Sequence, residues 1–579
     1  MIFSFNNKTT VFLLSFLTLY PWYISIFGID LTDPGYWLVH YKTFFAYPEL
    51  AQRGFTTWLS LFFGAATHSL LGHLGLLGFK IANIMVLYAI IFISFLLFKR
   101  YASTNFILFS LAVALLLATL DKALQINYNT LTALFYIASA YLLHRALVNK
   151  EFHFAFLAGF VLGLNLFIRL PNLVGIGLLS IIFFYFIATD TFMRSALKMF
   201  FIAVAGYLTS LILIMTILNL LGHYDLYIES VTNLLLLSTD ETFHHSSSTL
   251  IGALIENHWK AFRYGILLFG FILFSTWLSK FIVTNNRLLN ILLGACFLLF
   301  FTALLLFLCN VHSGYDYFML HHGIIGLTYI ALALTVFKTF KTNRALSTLA
   351  MLSLMLMVLI PLGSNTSFKH TPNSFFLALP ILFIFLFSLN KIEIKQFVLE
   401  RKELQLLFSF SSLTLILFAL IVSHVFYASS GDASAKWKMH HLVAHEQLAY
   451  NFTTKERASV LNELLQTLPK YEKDYTYILT YNRIPLISYV SNKLPYIDNP
   501  NPLFDMPKTF ENKLHAASRH RSLPLIVKGT LAMSKEWPNS GSVKVSNDHY
   551  LVLKKFLDAN HYEVVWANHA FEILLPIGN

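Results

Sequence analysis

The sequence predicts a polytopic α-helical membrane protein with a small α/β domain at its C-terminal end. Three observations predict it. Hydrophobic residues are 57% of the 579 and charged residues only 12%, where a soluble globule carries about 25% charged residues. Apolar runs of roughly 16–23 residues recur from residue 10 to residue 427, each long enough, or nearly so, to cross a bilayer core of about 30 Å. From residue 430 onward the composition turns to that of a water-soluble domain. The boundary divides the chain into a transmembrane domain, 1–428, and an α/β domain, 429–579.

The first run, "VFLLSFLTLYPWYISIF", has only Lys8 ahead of it and no small-residue cleavage site. It therefore reads as a retained first span, not a removed signal peptide. About thirteen spans follow from the runs, at 10–28, 76–98, 104–120, 130–147, 153–169, 173–188, 199–221, 262–279, 288–309, 322–337, 346–361, 375–389 and 405–427. Residues 55–75 are apolar but broken by Gly64, His68, Gly72 and His73, which predicts a segment lying at the interface. Cys296 and Cys309 fall in one span. Their helical separation of about 20 Å forbids a disulfide.

Alternate connections collect the basic residues. One side holds Lys99, Arg100, Arg145, Lys150, Arg194, Lys198, Lys280, Arg287, Lys338, Lys341, Arg344, Lys391, Lys395, Arg401 and Lys402. The positive-inside rule makes that side cytoplasmic. The N-terminus is then inside and the α/β domain outside, in the periplasm or its equivalent, on an inner (plasma) membrane. Despite the net charge of +12, no basic stripe with interleaved aromatics occurs, which excludes nucleic acid as a partner.

In the C-terminal domain, "TTKERASVLNELLQTLPKY" (453–471) has a capping Thr and helical spacing of Leu461, Leu464, Leu465 and Leu468. Residues 475–481, 523–529, 562–567 and 570–576 read as strands, and 546–560 as a helix.

The chemically suggestive residues all fall on the outer side. "GIDLTDPGYWLVHY" (28–41) places Asp30 and Asp33 where the first span ends. Asp33 has a structural reading, as the cap of a helix beginning at Pro34; Asp30 has no comparable local role. Arg169 closes a span before Pro171, which is expected to end the helix. It is either a snorkelling interfacial side chain or a guanidinium that binds a lipid phosphate, and Lys122 resembles it. Asn127, Tyr128 and Asn129 form a polar break between spans, either a simple loop or the lining of a cavity. The long outer loop 222–248 carries His244 and His245, and another carries Asp316, His321 and His322. Neither His pair has the i, i+4 spacing of a helical zinc site, so hydrogen bonding is the expectation and no metal site is assigned. Asp240, Glu241 and Asp316 could assist a divalent cation, but their spacing demands none.

"TDPGYWL" after a first span, "INYNTLTALFY", "RLPNLVGIGL", the "PLGSN…LALP" pair and a C-terminal outer domain resemble the GT-C superfamily of integral-membrane glycosyltransferases. The likeness is strongest to bacterial members that use polyprenyl-phosphate-linked sugars. It implies a GT-C fold and an acidic catalytic base in the first outer loop, the position that Asp33 matches. Asp30 would be the second acid of a split pair. Pro34 stands where the family has its second acid, and the residues do not choose between Asp30 and Asp33. The implied enzyme moves a sugar from a polyprenyl-phosphate donor to a glycan, lipid or protein hydroxyl, with inversion and no required cofactor, in cell-envelope glycan or glycolipid synthesis. Arg169, with Lys122 or a histidine, would stabilise the departing phosphate. His244, His245, Asp316, Asn127, Tyr128 and Asn129 complete the substrate-side candidates.

Two rivals share parts of the layout. A flippase should show related halves and polar residues near the midplane, and no internal repeat is present. A glycan polymerase or ligase has the same one-sided arrangement and differs in needing two lipid-linked glycans.

Overall fold

The computed structural model describes residues 7–120, 125–188, 193–238, 247–282, 318–363, 370–388, 391–394, 397–400, 436–530 and 547–577, with a few single positions among them Phe368, Asp432 and Trp537. The helical part runs α1 (Asn7–Ser25), α2 (Asp33–Thr43), α3 (Pro48–Ala51), α4 (Trp58–Leu71), α5 (Leu76–Phe98), α6 (Thr104–Ala118), α7 (Tyr128–Asn149) and α8 (Phe152–Ile168). It continues through α9 (Ser180–Ala188), α10 (Met193–Leu220), α11 (Tyr224–Ser238), α12 (Ser247–Ile282), α13 (Phe318–Thr339), α14 (Arg344–Leu359) and α15 (Phe375–Ser388).

Among the described residues, six helices are long and apolar enough to cross a membrane: Leu76–Phe98, Tyr128–Asn149, Leu170–Ala188, Met193–Leu220, His321–Thr339 and Thr371–Ser388. Shorter apolar helices, α6, α8 and α14, occupy three more of the predicted spans. The predicted spans 288–309 and 405–427 lie outside the described residues apart from isolated positions.

Without a hydrophobic drive between helices in lipid, close backbone approach does the packing. Helices α8 and α10 show how. Gly159 and Gly163, four apart on one face of α8, lie so close to the α10 carbonyls of Ala203 and Tyr207 that an added Cβ would collide with them.

The structure departs from the sequence reading in three places. Residues 58–71 form a helix whose Trp58, Leu61 and Ala65 are buried against protein, because Gly64 admits the Tyr41 ring from α2. The predicted outer loop 222–248 contains a helix over Tyr224–Ser238. As Pro171 predicts, α8 ends at Ile168 with Arg169 in extended backbone, and a separate 3-10 helix over Leu170–Leu179 then leads into α9. A hairpin of β1 (Lys391–Ile394) and β2 (Phe397–Glu400) also forms where the sequence suggested only a basic connection.

The C-terminal domain contains α16 (Lys455–Glu472), α17 (Pro485–Val490), α18 (Pro507–His520) and α19 (Asn547–Ala559). Its strands are β3 (His441–Leu442), β4 (Phe452–Thr453), β5 (Tyr477–Tyr481), β6 (Leu494–Pro495), β7 (Leu525–Gly529), β8 (Tyr562–Ala567) and β9 (Phe571–Pro576). All four expected strands and both expected helices are present, and Thr454 caps α16 by accepting from Arg457 N–H. The sheet order is β6-β5-β7-β9-β8, with β6, β5 and β7 parallel and the rest antiparallel. Helix α18 was not predicted, although Phe510, Leu514 and Ala517 recur on its buried face.

This domain packs on the segment joining α1 to α2. Gly28 N–H donates to Phe452 O at 2.8 Å, Phe452 N–H to Ile26 O at 2.7 Å, and Leu486 N–H to Leu31 O at 3.1 Å. Two glycines make room: a side chain at Gly35 would strike the Leu486 backbone, and one at Gly75, whose φ is +56°, the Gln447 carbonyl.

Candidate functional site

Asp30 lies inside the joint between the two domains and is 4% exposed. Its Oδ1 accepts from Thr32 N–H at 2.8 Å and from Thr32 Oγ1 at 2.7 Å. That is the Asx-type turn that positions the start of α2, the local role that the sequence did not suggest for Asp30. Lys80, from α5, donates to Gly28 O at 3.1 Å and interacts electrostatically with Asp30. Arg457, from the first turn of α16, also interacts electrostatically with Asp30. Arg457 also forms a buried ion pair with Asp432 and donates from Nε to Trp537 O at 2.9 Å. Asp432 in turn accepts from Ile29 N–H at 2.7 Å and Thr453 Oγ1 at 2.9 Å. Burial pulls the Arg457 guanidinium down to about 10, with Asp30 opposing.

Asp33 sits differently. Thr32 occupies the N-cap position, and Asp33 is the first helical residue, with Pro34 behind it. Asp33 is exposed. A carboxylate in a helix's first turn is favoured by the helix dipole without being a cap. One turn on, Trp37 shares its face. The Trp37 ring meets Tyr128 edge-on, with centroids 5.2 Å apart, and Tyr41 Oη donates to Ile126 O at 3.1 Å. The 125–129 turn is thereby held against α2.

Within that turn Asn127 has a structural role as the N-cap of α7, its Oδ1 accepting from Asn129 N–H at 2.8 Å and Thr130 N–H at 3.3 Å. Its side chain faces the helix end, which accounts for the polar break by capping. Asn129 Oδ1 is buried and lacks a hydrogen-bond partner among the described residues.

Beyond Tyr128 lies Arg169, within electrostatic reach of the Tyr128 and Tyr136 hydroxyls. At 5% exposure Arg169 does not snorkel. Its Nη2 donates to Leu362 O at 2.8 Å, Ile360 O at 3.0 Å and Asn172 Oδ1 at 3.3 Å, so it clamps the chain leaving α14. Asn172 is fixed in turn by Thr132 Oγ1 at 2.9 Å and Asn165 Oδ1 at 3.0 Å. Arg169 Nε and Tyr136 Oη are buried without hydrogen-bond partners among the described residues. The fold therefore brings together α2 with Asp33, the turn with Tyr128 and Asn129, and Arg169, although they are far apart in sequence.

On the other flank of α2, Tyr36 packs on Phe504 of the C-terminal domain at 5.6 Å and on His40 at 4.5 Å. Arg53 lies 3.6 Å from Asp505, which Lys513 also contacts at 3.1 Å. Burial pushes the His40 imidazole down to about 3; the Leu50 backbone opposes this, and the Lys513 and Arg53 cations reinforce it. Sequence reading missed this flank, since only the fold brings residues 36–53 to residues 498–513.

Lys122, His244, His245 and Asp316 lie outside the described residues, as do Asp240 and Glu241. His322 Nε2 pairs with Asn257 Oδ1 at 2.8 Å. Among the described residues no three His, Cys, Asp or Glu side chains gather to hold a metal ion. No family model matches the chain, and no curated protein matches it.

Proposed function

We propose that this membrane protein is a glycosyltransferase of the GT-C type that moves a sugar from a polyprenyl-phosphate donor to an acceptor hydroxyl. The observation that carries the reading is a chain of neighbours: Trp37, one turn on from the exposed Asp33, meets Tyr128, and Tyr128 lies within electrostatic reach of the buried Arg169, whose Nε is unpartnered among the described residues. A base and an anion-binding group on neighbouring elements are what displacement at an anomeric carbon requires.

In this mechanism Asp33 takes the proton of the acceptor hydroxyl as that oxygen bonds to the anomeric carbon. The bond from that carbon to the phosphate oxygen breaks, and the electron pair leaves on the polyprenyl phosphate. Arg169 Nε, positioned by the carbonyl clamp on Nη2, donates toward the developing negative charge. Attack from the face opposite the leaving phosphate inverts the anomeric centre. Asp30 holds the loop and does not exchange protons with substrate. The site faces the outer side of an inner (plasma) membrane, with the N-terminus inside, consistent with the basic connections collecting on the opposite side.

Membranes containing the protein, supplied with radiolabelled polyprenyl-phosphate hexoses and pentoses, should transfer label to a hydroxyl acceptor, and Asp33→Asn should abolish this at equal expression. Transfer by neither sugar class would remove the reading. The sidedness has its own check. With Cys296 and Cys309 replaced by serine, Lys341→Cys should resist an impermeant thiol reagent applied outside; labelling there would invert every assignment above.

A further inference from the structure

We infer that the carboxyl ends of the parallel strands in the C-terminal domain form a saccharide subsite, built from Asn482, Asn499 and Asn501. Its assignment to the acceptor sugar rests on the glycosyl-transfer reading above.

Topology comes first. Strand β5 lies beside β7 and sends its connection to β6 on one side, whereas the connection leaving β7 runs to β8 and β9 on the other, so the switch point falls between β5 and β7. In open α/β sheets such a switch point opens a crevice at the carboxyl ends of the strands, where ligands bind. Asn482 stands at that point, immediately after β5, and its Nδ2 donates to Gly529 O at the end of β7 at 2.7 Å. Thr480 Oγ1 donates to Pro500 O at 3.0 Å. This draws Asn499 and Asn501 to the same edge. The backbone there is strained: Asn482 and Arg483 have φ of 71° and 63°, a left-handed pair of non-glycine residues of the kind that concentrates at functional sites.

The side chains supply the second, independent observation. All three asparagines are more than nine-tenths buried. Yet Asn482 Oδ1, Asn499 Nδ2 and both side-chain polar atoms of Asn501 lack hydrogen-bond partners among the described residues. Buried polar atoms are nearly always paired. A cluster of four unpaired amide atoms at a switch point marks groups kept for something other than the fold.

Their chemistry selects the ligand. Primary amides offer neutral donors and acceptors side by side, which match vicinal hydroxyls that each donate and accept. Phe504, 42% exposed and packed edge-on to Tyr36, offers an aromatic ring to the C–H face of a sugar. Leu486, four residues beyond Asn482, bonds to Leu31, so this edge abuts the segment that leads into Asp33.

The full-length protein, purified in a sugar-free detergent, is titrated with D-glucose, D-galactose, D-mannose and N-acetyl-D-glucosamine, with binding read by saturation-transfer NMR. At least one sugar should bind saturably. Asn501→Ala should weaken it about tenfold or more while leaving the melting temperature unchanged or higher, because that side chain has no hydrogen-bond partner among the described residues. Should Asn501→Ala fail to fold, Asn482→Gly, suited to the left-handed backbone, should show the same loss. Binding of none of the four sugars, or parental binding by the folded asparagine variants, would overturn the subsite. If binding depends on Asn501 but no transfer occurs from any polyprenyl-phosphate sugar, the subsite stands and the transferase reading falls. Transfer with an unchanged acceptor KM in Asn501→Ala removes the subsite and leaves the transferase.

Discussion

Asp30 and Asp33 are three residues apart in one loop, yet their surroundings differ in every term that sets what a carboxylate does. Asp30 is buried, holds the backbone and hydroxyl of Thr32, and has Lys80 and Arg457 nearby to balance its charge. Asp33 is exposed at the start of α2, on the face that leads through Trp37 to Tyr128. A buried, compensated carboxylate is held in its ionised, bonded form and organises structure. An exposed one at a helix start is accessible to a partner from outside the fold. Chemical type alone does not assign a role; burial and position in the fold do.

The sharpest way to break this contrast is to neutralise each acid in turn. Asp33→Asn keeps volume and polarity in the first turn but cannot accept a proton, so the transfer rate should fall by about 10²–10⁴-fold with the fold intact. Asp30→Asn should lower the rate less and the melting temperature more, because Lys80 and Arg457 lose part of their compensation. Rates from single-turnover transfer and melting curves on the same preparations decide. The reverse ranking would exchange the two roles.

A second test addresses the joint alone. Arg457→Met leaves Asp432 buried without its cation and should destabilise the protein by about 3–5 kcal/mol. Adding Asp432→Asn should recover part of that loss, since the two residues are directly coupled. Chemical denaturation of the single and double variants measures both. A single-variant loss below about 1 kcal/mol would mean the joint does not depend on this pair.

Much of this contrast was written in places a sequence cannot display. The apolar runs located α5, α7, α10 and α15, because crossing a bilayer demands their length and composition. Alternation and turn residues located β5, β7, β8 and β9. What could not be read was pairing across distance: Ile29 with Asp432, Gly28 with Phe452, Trp37 with Tyr128. These depend on how the C-terminal domain returns to the first loop. Two misses were local and legible. Asn127 two and three residues ahead of the N–H groups it caps is a standard helix start, and Phe510, Leu514 and Ala517 mark α18 by period. Helix α11 was obscured because Asp225 and Glu229 made its segment look like a polar loop.

Arg169 gives the third test, of smaller expected size. Its Nη2 serves three acceptors while Nε is unpartnered among the described residues. Lysine supplies one compact ammonium in place of a planar fork. Arg169→Lys should therefore lose about 1.5–3 kcal/mol, as for hydrogen bonds to a charged group, partly as stability and partly as donor affinity. A purely structural clamp would move the melting temperature and leave the KM for donor lipid unchanged. A raised donor KM at a modest loss of melting temperature is the result expected here.

The smallest effect concerns the other flank of α2 and has a pH signature of its own. His40 is fully buried beside Tyr36, and burial pushes its pKa from the ordinary 6.5 to about 3. Below pH 6.5 the unfolded chain binds a proton at His40 that the folded protein refuses. The unfolded state therefore holds more protons, and stability rises with pH through this interval. His40 contributes no penalty above about pH 6.5. As the solution is acidified toward pH 3, stability should drop by up to about 1.4 kcal/mol per pH unit. At pH 5 that amounts to about 2 kcal/mol. His40→Gln cannot titrate, so it should be less stable than the parent at pH 7.5 through repacking alone, then close the gap between pH 6.5 and 5. Melting curves of both proteins at several pH values give the difference directly, with every other titrating group cancelling. A gap that stays constant from pH 7.5 to 5 would mean that His40 accepts a proton in the folded state, and the Tyr36–His40 flank would then be a hydrated surface instead of a sealed contact between α2 and the C-terminal domain.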